Sequence, residues 1–210
     1  MSKLEVREIG PISGETEVRL ADGATAVGFG GGGIRSVQYF TSSGTWTKTS
    51  GVTKVMVEVQ GGGGGGKRSN SSAGYSIGGG GGYARKLIDV STISSGTITV
   101  GAGGIGRKGS DGVGTNGGDT IWFDGTNTIT GGGGSGDGPP STAGTGSGGD
   151  LNLTGKNGST QQKGGDSFYG YGDADGNASV YGYGGGGSGG YNADAGDGTD
   201  GIVIVTEIAG

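Results

Sequence analysis

Cysteine and histidine are both absent from the 210-residue chain. Their absence excludes disulfides, zinc sites with Cys or His ligands, and catalytic arrangements of the Ser-His-Asp or Cys-His kind. Apolar residues make up only 29% of the chain, which is too little for a large conventional core, and no apolar run is long enough to span a membrane. Carboxylates, lysines and hydroxyls are the groups that remain for catalysis. Our prediction is a protein that is not an enzyme, holds no metal or other cofactor, and does not insert into a membrane.

Positive charge is scarce in the last part of the chain. Residues 150–210 contain eight acidic residues but only two basic ones, Lys156 and Lys163, and the net charge of the whole chain is −5. Because nucleic acid phosphates select for Lys and Arg, this imbalance argues against a nucleic acid partner. The first residues are charged and lack the features of a signal peptide, which indicates synthesis and folding in a cytoplasm.

Glycine, in contrast, accounts for 61 of the 210 residues and is concentrated in runs at 61–66, 78–82, 131–134 and 184–187. Ordering each residue of a run costs roughly 1–2 kcal/mol, whereas an internal hydrogen bond returns only about 1 kcal/mol. A run is therefore either a flexible linker or part of a collective structure. In the second case the runs adopt the three-residue-per-turn geometry of polyproline II, and neighbouring helices bond sideways through their backbones.

Strand patterns flank these glycine runs. Val55, Val57 and Val59 alternate with polar residues and lead directly into the run 61–66. Because rigid strands clamp the ends of the runs, we expect the runs to pack together. The predicted fold is all-β: a small β-sandwich with packed polyglycine helices of the polyproline-II type, polar loop tips and an extended N-terminal segment.

Two further strand predictions are more detailed. Asp124 and Gly125 lie between two strand-like segments and predict a two-residue hairpin turn of type I′. The closing run 201–208 is a continuous series of mostly β-branched residues, which is typical of a strand buried on both sides.

Residues 1–36 differ from the rest of the chain. They contain two short alternating segments, at 4–9 and 16–20, and four of the six glutamates. Because an isolated hairpin is only marginally stable in water, this part is either a solvated leader or an attachment and oligomerisation segment. We therefore predict a division into an N-terminal segment, 1–36, and a glycine-rich domain, 37–210.

A series of ordered motifs resembles the glycine-rich domain of bacteriophage tail fibres. The motifs are residues 40–46 (FTSSGTW), 51–59 (GVTKVMVEV), 78–86, 97–104 and 200–207. Residues 1–36 are also similar to the N-termini of fibre proteins from marine phages. In style the chain is similar to the glycine-rich distal adhesins of T-even-like phages, in which packed polyglycine helices hold receptor-contacting loops.

The resemblance implies a tail-fibre protein of the virion, made in the host cytoplasm, that binds a host cell-surface receptor. The receptor is either a glycan or an outer-membrane protein. The resemblance further implies attachment to other virion tail or baseplate proteins through residues 1–36. It implies a homotrimer, although distal adhesins can be single chains.

Tyrosine-bearing loops between the glycine runs are the candidate receptor-binding parts, because tyrosine offers a large contact area at low rotameric cost. The candidate residues are Tyr75, Phe168, Tyr169, Tyr171, Asp173, Asp175, Asn177, Tyr181, Tyr183 and Tyr191. Tyr181 and Tyr183 are equally consistent with spacers between a sheet and the glycine runs. The alternating Asp173, Asp175 and Asn177 are similar to calcium loops but lack the distant glutamate of an EF-hand, so an Asx-rich turn is the preferred interpretation.

Two other functions stay open at this stage. One is a capsule-degrading, glycosidase-like spike, in which Asp173 would work with Asp166 or Asp194 across a glycosidic bond. The other is a purely structural virion spacer with no receptor of its own.

Overall fold

The computed structural model describes residues 32–71, 76–136, 141–158, 163–173 and 182–210. Residues 1–31 lie outside the described residues. The candidate residues Tyr75, Asp175, Asn177 and Tyr181 also lie outside them.

Short strands and the stretches between them make up the described residues, which contain no α-helix, 3₁₀-helix or π-helix, so the all-β prediction is confirmed. The strands are β1 (Ile34–Phe40), β2 (Gly44–Thr47), β3 (Val52–Gln60), β4 (Arg68–Ser69), β5 (Tyr83–Asp89), β6 (Ser95–Thr99), β7 (Thr120–Phe123), β8 (Thr128–Gly131), β9 (Gly146–Ser147), β10 (Leu151–Leu153), β11 (Gly190–Tyr191) and β12 (Ile202–Ala209). Because β1 begins at Ile34, the predicted segment 1–36 overlaps its first three residues; the attachment role of that segment stays a prediction.

The strands form two five-stranded antiparallel sheets and one small parallel pair. Sheet A has the order β1-β12-β3-β5-β10, and sheet B has the order β2-β6-β7-β8-β9. β4 pairs with β11 in parallel.

The core lies between the inner faces of sheets A and B, as a β-sandwich requires. Sheet A contributes Val55, Val57 and Val59, all of which are fully buried, and sheet B contributes Trp46 and Trp122. The two indole rings pack with their centroids 5.2 Å apart at an angle of 49°. Full burial of each valine contributes roughly 1.5–3 kcal/mol, so this small core is a concentrated source of stability.

A buried carboxylate lies at one end of this core. Glu207 accepts hydrogen bonds from the Trp46 indole N–H (3.1 Å), the Ser36 hydroxyl (2.6 Å) and the Thr49 backbone N–H (3.0 Å). Burial acts to raise the pKa of Glu207, but these hydrogen bonds outweigh it and lower the pKa below its ordinary value. The carboxylate therefore ties β12 to β1, to β2 and to the turn before β3.

The predicted closing strand is confirmed as β12, but its burial on both sides is not. Val203 and Val205 are buried, whereas Ile204 and Thr206 on the opposite face are only half-buried. β12 pairs antiparallel with both β1 and β3. β-branched residues fit any pleated surface, so the run of such residues does not show how many faces are covered.

The hairpin at residues 120–131 is present, but its turn is not the predicted two-residue type I′. Phe123 pairs with Thr128, which leaves a four-residue loop, 124–127. The Asp124 carboxylate accepts the backbone N–H groups of Thr126 (2.9 Å) and Asn127 (2.7 Å), and only Gly125 within this loop has a positive φ, of 93°. The side chain of Asp124 therefore closes the loop. Its two hydrogen bonds from the backbone fix the loop geometry better than an aspartate with a positive φ, as in a type I′ turn, would.

The glycine-rich stretches that continue from the strands pack as one hydrogen-bonded body, called the glycine layer below. It comprises residues 61–67, 76–82, 100–108, 113–119, 132–136, 141–144, 155–158, 163–167, 171–173, 185–189 and 194–201. None of the glycines in 61–66 and 78–82 has a positive φ. The backbone thus stays on the side of the map that includes left-handed polyproline II.

The first glycine run bonds to its neighbours with a period of three. Its six N–H groups donate to backbone carbonyls over 2.9–3.0 Å, and residues three apart donate to the same stretch. Gly61 donates to Gly82 and Gly64 to Gly79; Gly62 donates to Gly118 and Gly65 to Thr115; Gly63 donates to Thr199 and Gly66 to Gly196. Three other stretches donate back to the same run, through Gly104 and Arg107, Gly134, and Gly187. Six stretches therefore surround this run, as expected for packed three-residue-per-turn helices.

The second run repeats this pattern. Gly78 and Gly81 donate to Gly187 and Gly184, Gly79 and Gly82 to Ser135 and Gly132, and Gly80 to Lys156. A Cβ atom on any glycine of either run would lie within 3.0 Å of backbone atoms of a neighbouring stretch. Glycine is thus required here because the backbones of neighbouring stretches approach too closely for a side chain. The prediction of packed polyglycine helices is confirmed.

Side-chain oxygens take the place of carbonyls at the edges of the glycine layer. Gly103 and Gly106 donate to the carboxylates of Asp200 and Asp197, each over 2.7 Å. On another edge, Gly133 and Gly136 donate to Asp119 and Asn116, each over 2.8 Å. The three-residue spacing of these acceptors matches the period of the runs that they serve, so they satisfy backbone donors that would face solvent.

Candidate functional site

Loops carried by the glycine layer gather at the end away from the sheets. β3 leads into 61–66, and β4 follows at once, so the first run separates them by about 19 Å at 3.1 Å per residue. The name loop end is used below for residues 67–71, 105–113 and 189–194, which include the terminal residues of several stretches of the glycine layer.

Backbone pairing joins three loops at the loop end. Arg68 and Ser69 pair in parallel with Gly190 and Tyr191, and Arg68 also forms a bridge with Gly112. Loops that are bonded to one another lose less conformational freedom on binding a partner than separate loops would.

Charged groups add to this connection. The Asp194 carboxylate pairs with the Arg68 guanidinium (3.1 Å) and accepts the Gly109 N–H (2.8 Å). The Gly109 hydrogen bond and the Arg68 charge lower the pKa of Asp194. Lys108 donates to the Ala195 carbonyl (2.6 Å) and pairs with Asp197 (3.1 Å), so both sides of the loop end are held to the glycine layer.

Exposed apolar side chains lie among these charges. Tyr191 is 49% exposed, Val113 is 48% exposed and Ile105 is 63% exposed. Tyr191 and the cationic Arg107, both in the loop end, are of the residue types that are enriched at binding surfaces. Of the predicted candidates that the structure describes, Tyr191 is placed at this end.

The densest group of predicted residues lies at the other end of the glycine layer, beside sheet A. Phe168 stacks on Tyr83 with the ring centroids 4.2 Å apart, and Tyr169 packs edge-on against both rings. The Tyr169 hydroxyl donates to the Glu58 carboxylate over 2.9 Å, and the Tyr83 hydroxyl donates to the same oxygen. Phe168 and Tyr169 are therefore brought together, but as part of an aromatic cluster next to β3 and β5.

The cluster keeps its phenols neutral. Burial, and then the bond to Glu58, raise the pKa of Tyr169 to about 12, and the same causes raise the pKa of Tyr83 well above its usual range. A neutral phenol can donate to the carboxylate, so both hydroxyls stabilise the cluster at neutral pH.

The other described candidates are divided between surface and interior. Tyr171 is 68% exposed, and its ring lies 5.8 Å from the Lys163 ammonium. Tyr183 is half-buried, and its N–H donates to the Tyr169 carbonyl, which fits the spacer interpretation. Asp173 is buried and accepts a hydrogen bond from the Ser188 hydroxyl (2.7 Å), so its carboxylate is turned away from solvent.

The carboxylates considered for a glycosidase lie in different surroundings. Asp173 is buried, Asp194 belongs to the loop end, and Asp166 accepts from the Gly172 N–H (3.0 Å) and Lys163 (3.1 Å) near the aromatic cluster. Among the described residues, no group of three or more acidic side chains could hold a metal ion. The part of the chain that the structure describes also contains no helix able to cross a membrane.

Sequence reasoning missed the structural roles of the residues that organise both ends, although it named Asp194 as a candidate for catalysis. Arg68 and Asp194 connect the loops, and Glu58 and Tyr83 hold Phe168 and Tyr169. Glu58 and Tyr83 had a usable signal, because Glu58 lies near the end of β3, which leads into the run 61–66, and Tyr83 begins β5 directly after the run 78–82. The pairing of Arg68 with Asp194 had none, since 126 positions separate them.

These features define a class of protein: an all-β sandwich whose hydrogen-bonded glycine layer carries joined loops at its far end. A family model described as "Glycine-rich domain" matches residues 39–183, which is more than half of the chain, so the protein belongs to the glycine-rich domain family. No curated protein matches the chain.

Proposed function

We propose that this protein is the receptor-binding part of a bacteriophage tail fibre and that it attaches to a host cell surface through the loop end. One observation carries the proposal. β4, β11 and Gly112 are joined by backbone pairing at the far end of a glycine layer whose first run donates all six of its N–H groups to neighbouring stretches.

The chemistry of the loop end favours binding over a purely structural role. Tyr191, Val113 and Ile105 of the loop end all have side chains that are about half exposed or more, and they offer contact area to a partner on loops that are already joined. Each contact is expected to be weak, but several copies on one particle would raise the overall avidity. The resemblance to tail fibres supports a bacteriophage origin for the protein. The homotrimer and the attachment through residues 1–36 stay predictions.

The experiment compares variants of the full chain for binding to bacterial cells. Fluorescently labelled protein is incubated with a panel of candidate host cells, and bound label is measured for the wild type and for the variant Tyr191→Ala/Val113→Ala. We expect the double variant to lose at least about 80% of the bound signal, since hot-spot aromatic residues carry most of a small interface.

The matched control is Tyr39→Ala/Leu87→Ala, which removes an exposed tyrosine and an exposed aliphatic side chain from sheet A. This control should bind like the wild type. Binding that survives loss of Tyr191 and Val113 but disappears in the control would move the receptor surface to sheet A and overturn the proposal. Absence of binding on a host known to be infected through this fibre would favour the structural spacer.

A further inference from the structure

A second surface with binding chemistry lies at the sheet end of the glycine layer. An open groove of about 360 Å³ runs between the start of β5, the stretch after β10 and the stretch that ends at Phe168. Its lining includes Tyr83, Leu153, Thr154, Lys156, Asp166 and Phe168. The volume falls at the small end of the range for ligand sites and suits one or two sugar rings.

The aromatic wall of the groove is held in place before any ligand arrives. Phe168 is 53% exposed, although one ring face is stacked on the buried Tyr83. Tyr83 is fixed in turn by its hydrogen bond to Glu58, and the edge of Tyr169 supports both rings. A large exposed aromatic ring therefore stays at the groove, where the apolar face of a sugar ring could pack against it.

Lys156 and Asp166 form the polar wall of the groove, and Lys163, which pairs with Asp166 from outside the lining, adds a second ammonium group. Lys163 and Lys156 approach the Asp166 carboxylate at 3.1 Å and 3.7 Å, so two ammonium groups face one carboxylate. The Lys156 side chain is 69% exposed and makes the longer of the two contacts. In a chain with a net charge of −5, this is a local excess of positive charge beside an aromatic surface.

Asp166 itself is fixed and ionised. Burial acts to raise its pKa, but the Gly172 N–H and the two lysines outweigh that effect and lower it. An ionised carboxylate accepts hydrogen bonds only, so it suits sugar hydroxyl groups as donors.

We propose that this groove binds an acidic saccharide, with the sugar ring against Phe168, a hydroxyl on Asp166 and the acidic substituent on Lys156 and Lys163. This proposal does not depend on the proposed function, because the groove and the loop end lie at opposite ends of the first glycine run. A neutral sugar would use only the aromatic wall and Asp166, and would leave the two ammonium groups without an added partner.

The test is an NMR titration of the full chain with methyl β-D-glucuronide, with glucose 6-phosphate and with the neutral methyl β-D-glucoside. We expect either acidic sugar to shift the amide signals of Gly155 and Ser167, with an affinity at least about fivefold higher than the neutral glucoside. Comparison of the two acidic sugars identifies carboxylate or phosphate as the preferred group. Added salt should weaken this binding, since the lysines are exposed.

Two variants locate the binding. Lys156→Gln should reduce the affinity for the acidic sugar by about fivefold and leave the neutral sugar unchanged. Phe168→Ala should weaken both by a similar factor, through loss of the aromatic wall. Lys156 is exposed, so Lys156→Gln keeps the test decisive even if Phe168→Ala does not fold.

Matched controls are Lys54→Gln and Phe123→Ala, which change an exposed lysine on β3 and a 46% exposed phenylalanine on β7. Both should bind like the wild type, and so should the loop-end variant Tyr191→Ala/Val113→Ala. No shift at Gly155 or Ser167 with either acidic sugar at tens of millimolar would overturn the proposal. Unchanged acidic-sugar affinity in Lys156→Gln would overturn it as well.

Discussion

The backbone N–H of Gly64 donates to the carbonyl oxygen of Gly79 over 2.9 Å, across two glycine runs that contain no side chain at all. Such a bond returns only about 1 kcal/mol, so neither run is stable alone. Their stability is collective: each run has several neighbouring stretches, and every bond depends on close approach of backbones that a methyl group would prevent.

Gly64→Ala should therefore be severely destabilising. Its Cβ would collide with the Ser135 carbonyl in a buried position, and the surrounding backbone cannot move without breaking other bonds. We expect a loss of about 2 kcal/mol or more in the free energy of unfolding, measured by urea denaturation. Gly44→Ala is the matched control: a Cβ there meets nothing within 4 Å, and we expect a change within about 0.5 kcal/mol. Equal stability of the two variants would contradict a packed glycine layer.

Amide exchange should report the same packing without any mutation. We expect the N–H groups of Gly62 to Gly65 to exchange as slowly as those of β3, because all are buried and bonded. Gly125, which is exposed in a hairpin loop, should exchange fast. Exchange of the first run at the rate of a free peptide, measured by NMR, would mean that the run is a flexible linker.

Acid should weaken the protein through Glu207. The pKa of this carboxyl is lowered in the folded state, so its contribution is present above the ordinary value of 4.5 and is lost as the pH falls through the folded value. Glu207→Gln should cost about 1–3 kcal/mol at pH 7, because a charge-assisted acceptor for Trp46, Ser36 and Thr49 is lost. The difference between wild type and variant should shrink at pH 3, as followed by tryptophan fluorescence during urea unfolding. Asp111→Asn, a change on the exposed loop end, is the control and should be as stable as the wild type at both pH values. If the difference in unfolding free energy between the wild type and Glu207→Gln is the same at pH 7 and pH 3, this account is refuted.

Alkali should weaken the aromatic cluster. Because the pKa of Tyr169 is raised to about 12, its contribution to stability is fully present below the ordinary value of 10 and is lost as the pH rises towards 12. Tyr169→Phe should cost about 0.5–1.5 kcal/mol at pH 7 and should make stability less sensitive to pH above 10. Thermal melts between pH 7 and 11.5 provide the measurement. Tyr171→Phe, at a ring that is 68% exposed, is the control; identical alkaline profiles for wild type and Tyr169→Phe would show that the Glu58 bond contributes nothing.

The sequence was sufficient for the strand and glycine architecture because both depend on local rules. The alternation of Val55, Val57 and Val59 predicted which face of β3 is buried, and those residues are fully buried. The packing of the runs followed from the cost of ordering glycine, and the period-three donation of residues 61–66 confirms it.

Other features depended on interactions that a local pattern does not contain. The hairpin loop 124–127 is set by the Asp124 carboxylate, although the Asp-Gly pair alone favours a shorter turn. The sequence predicted that Phe168 and Tyr169 lie at a loop tip, but contacts with Tyr83 and Glu58 hold them beside sheet A. The sequence also shows two pairs of polar residues spaced by three positions, Asn116 with Asp119 and Asp197 with Asp200. Their role as acceptors for backbone N–H groups follows only from the three-residue period of the glycine runs.

The position of β12 determines which fragments of this protein can fold and when the growing chain can fold during its synthesis. Glu207 meets Trp46 across 161 positions of sequence, and β12 lies between β1 and β3 in sheet A. A fragment that stops at residue 183, where the family match stops, would have a gap in the middle of that sheet and would lack the stretches that accept from Gly63, Gly66, Gly78 and Gly81. A ribosome that has translated the chain only that far therefore holds an open sheet and glycine runs with missing neighbours, so this domain is expected to fold late and as a unit.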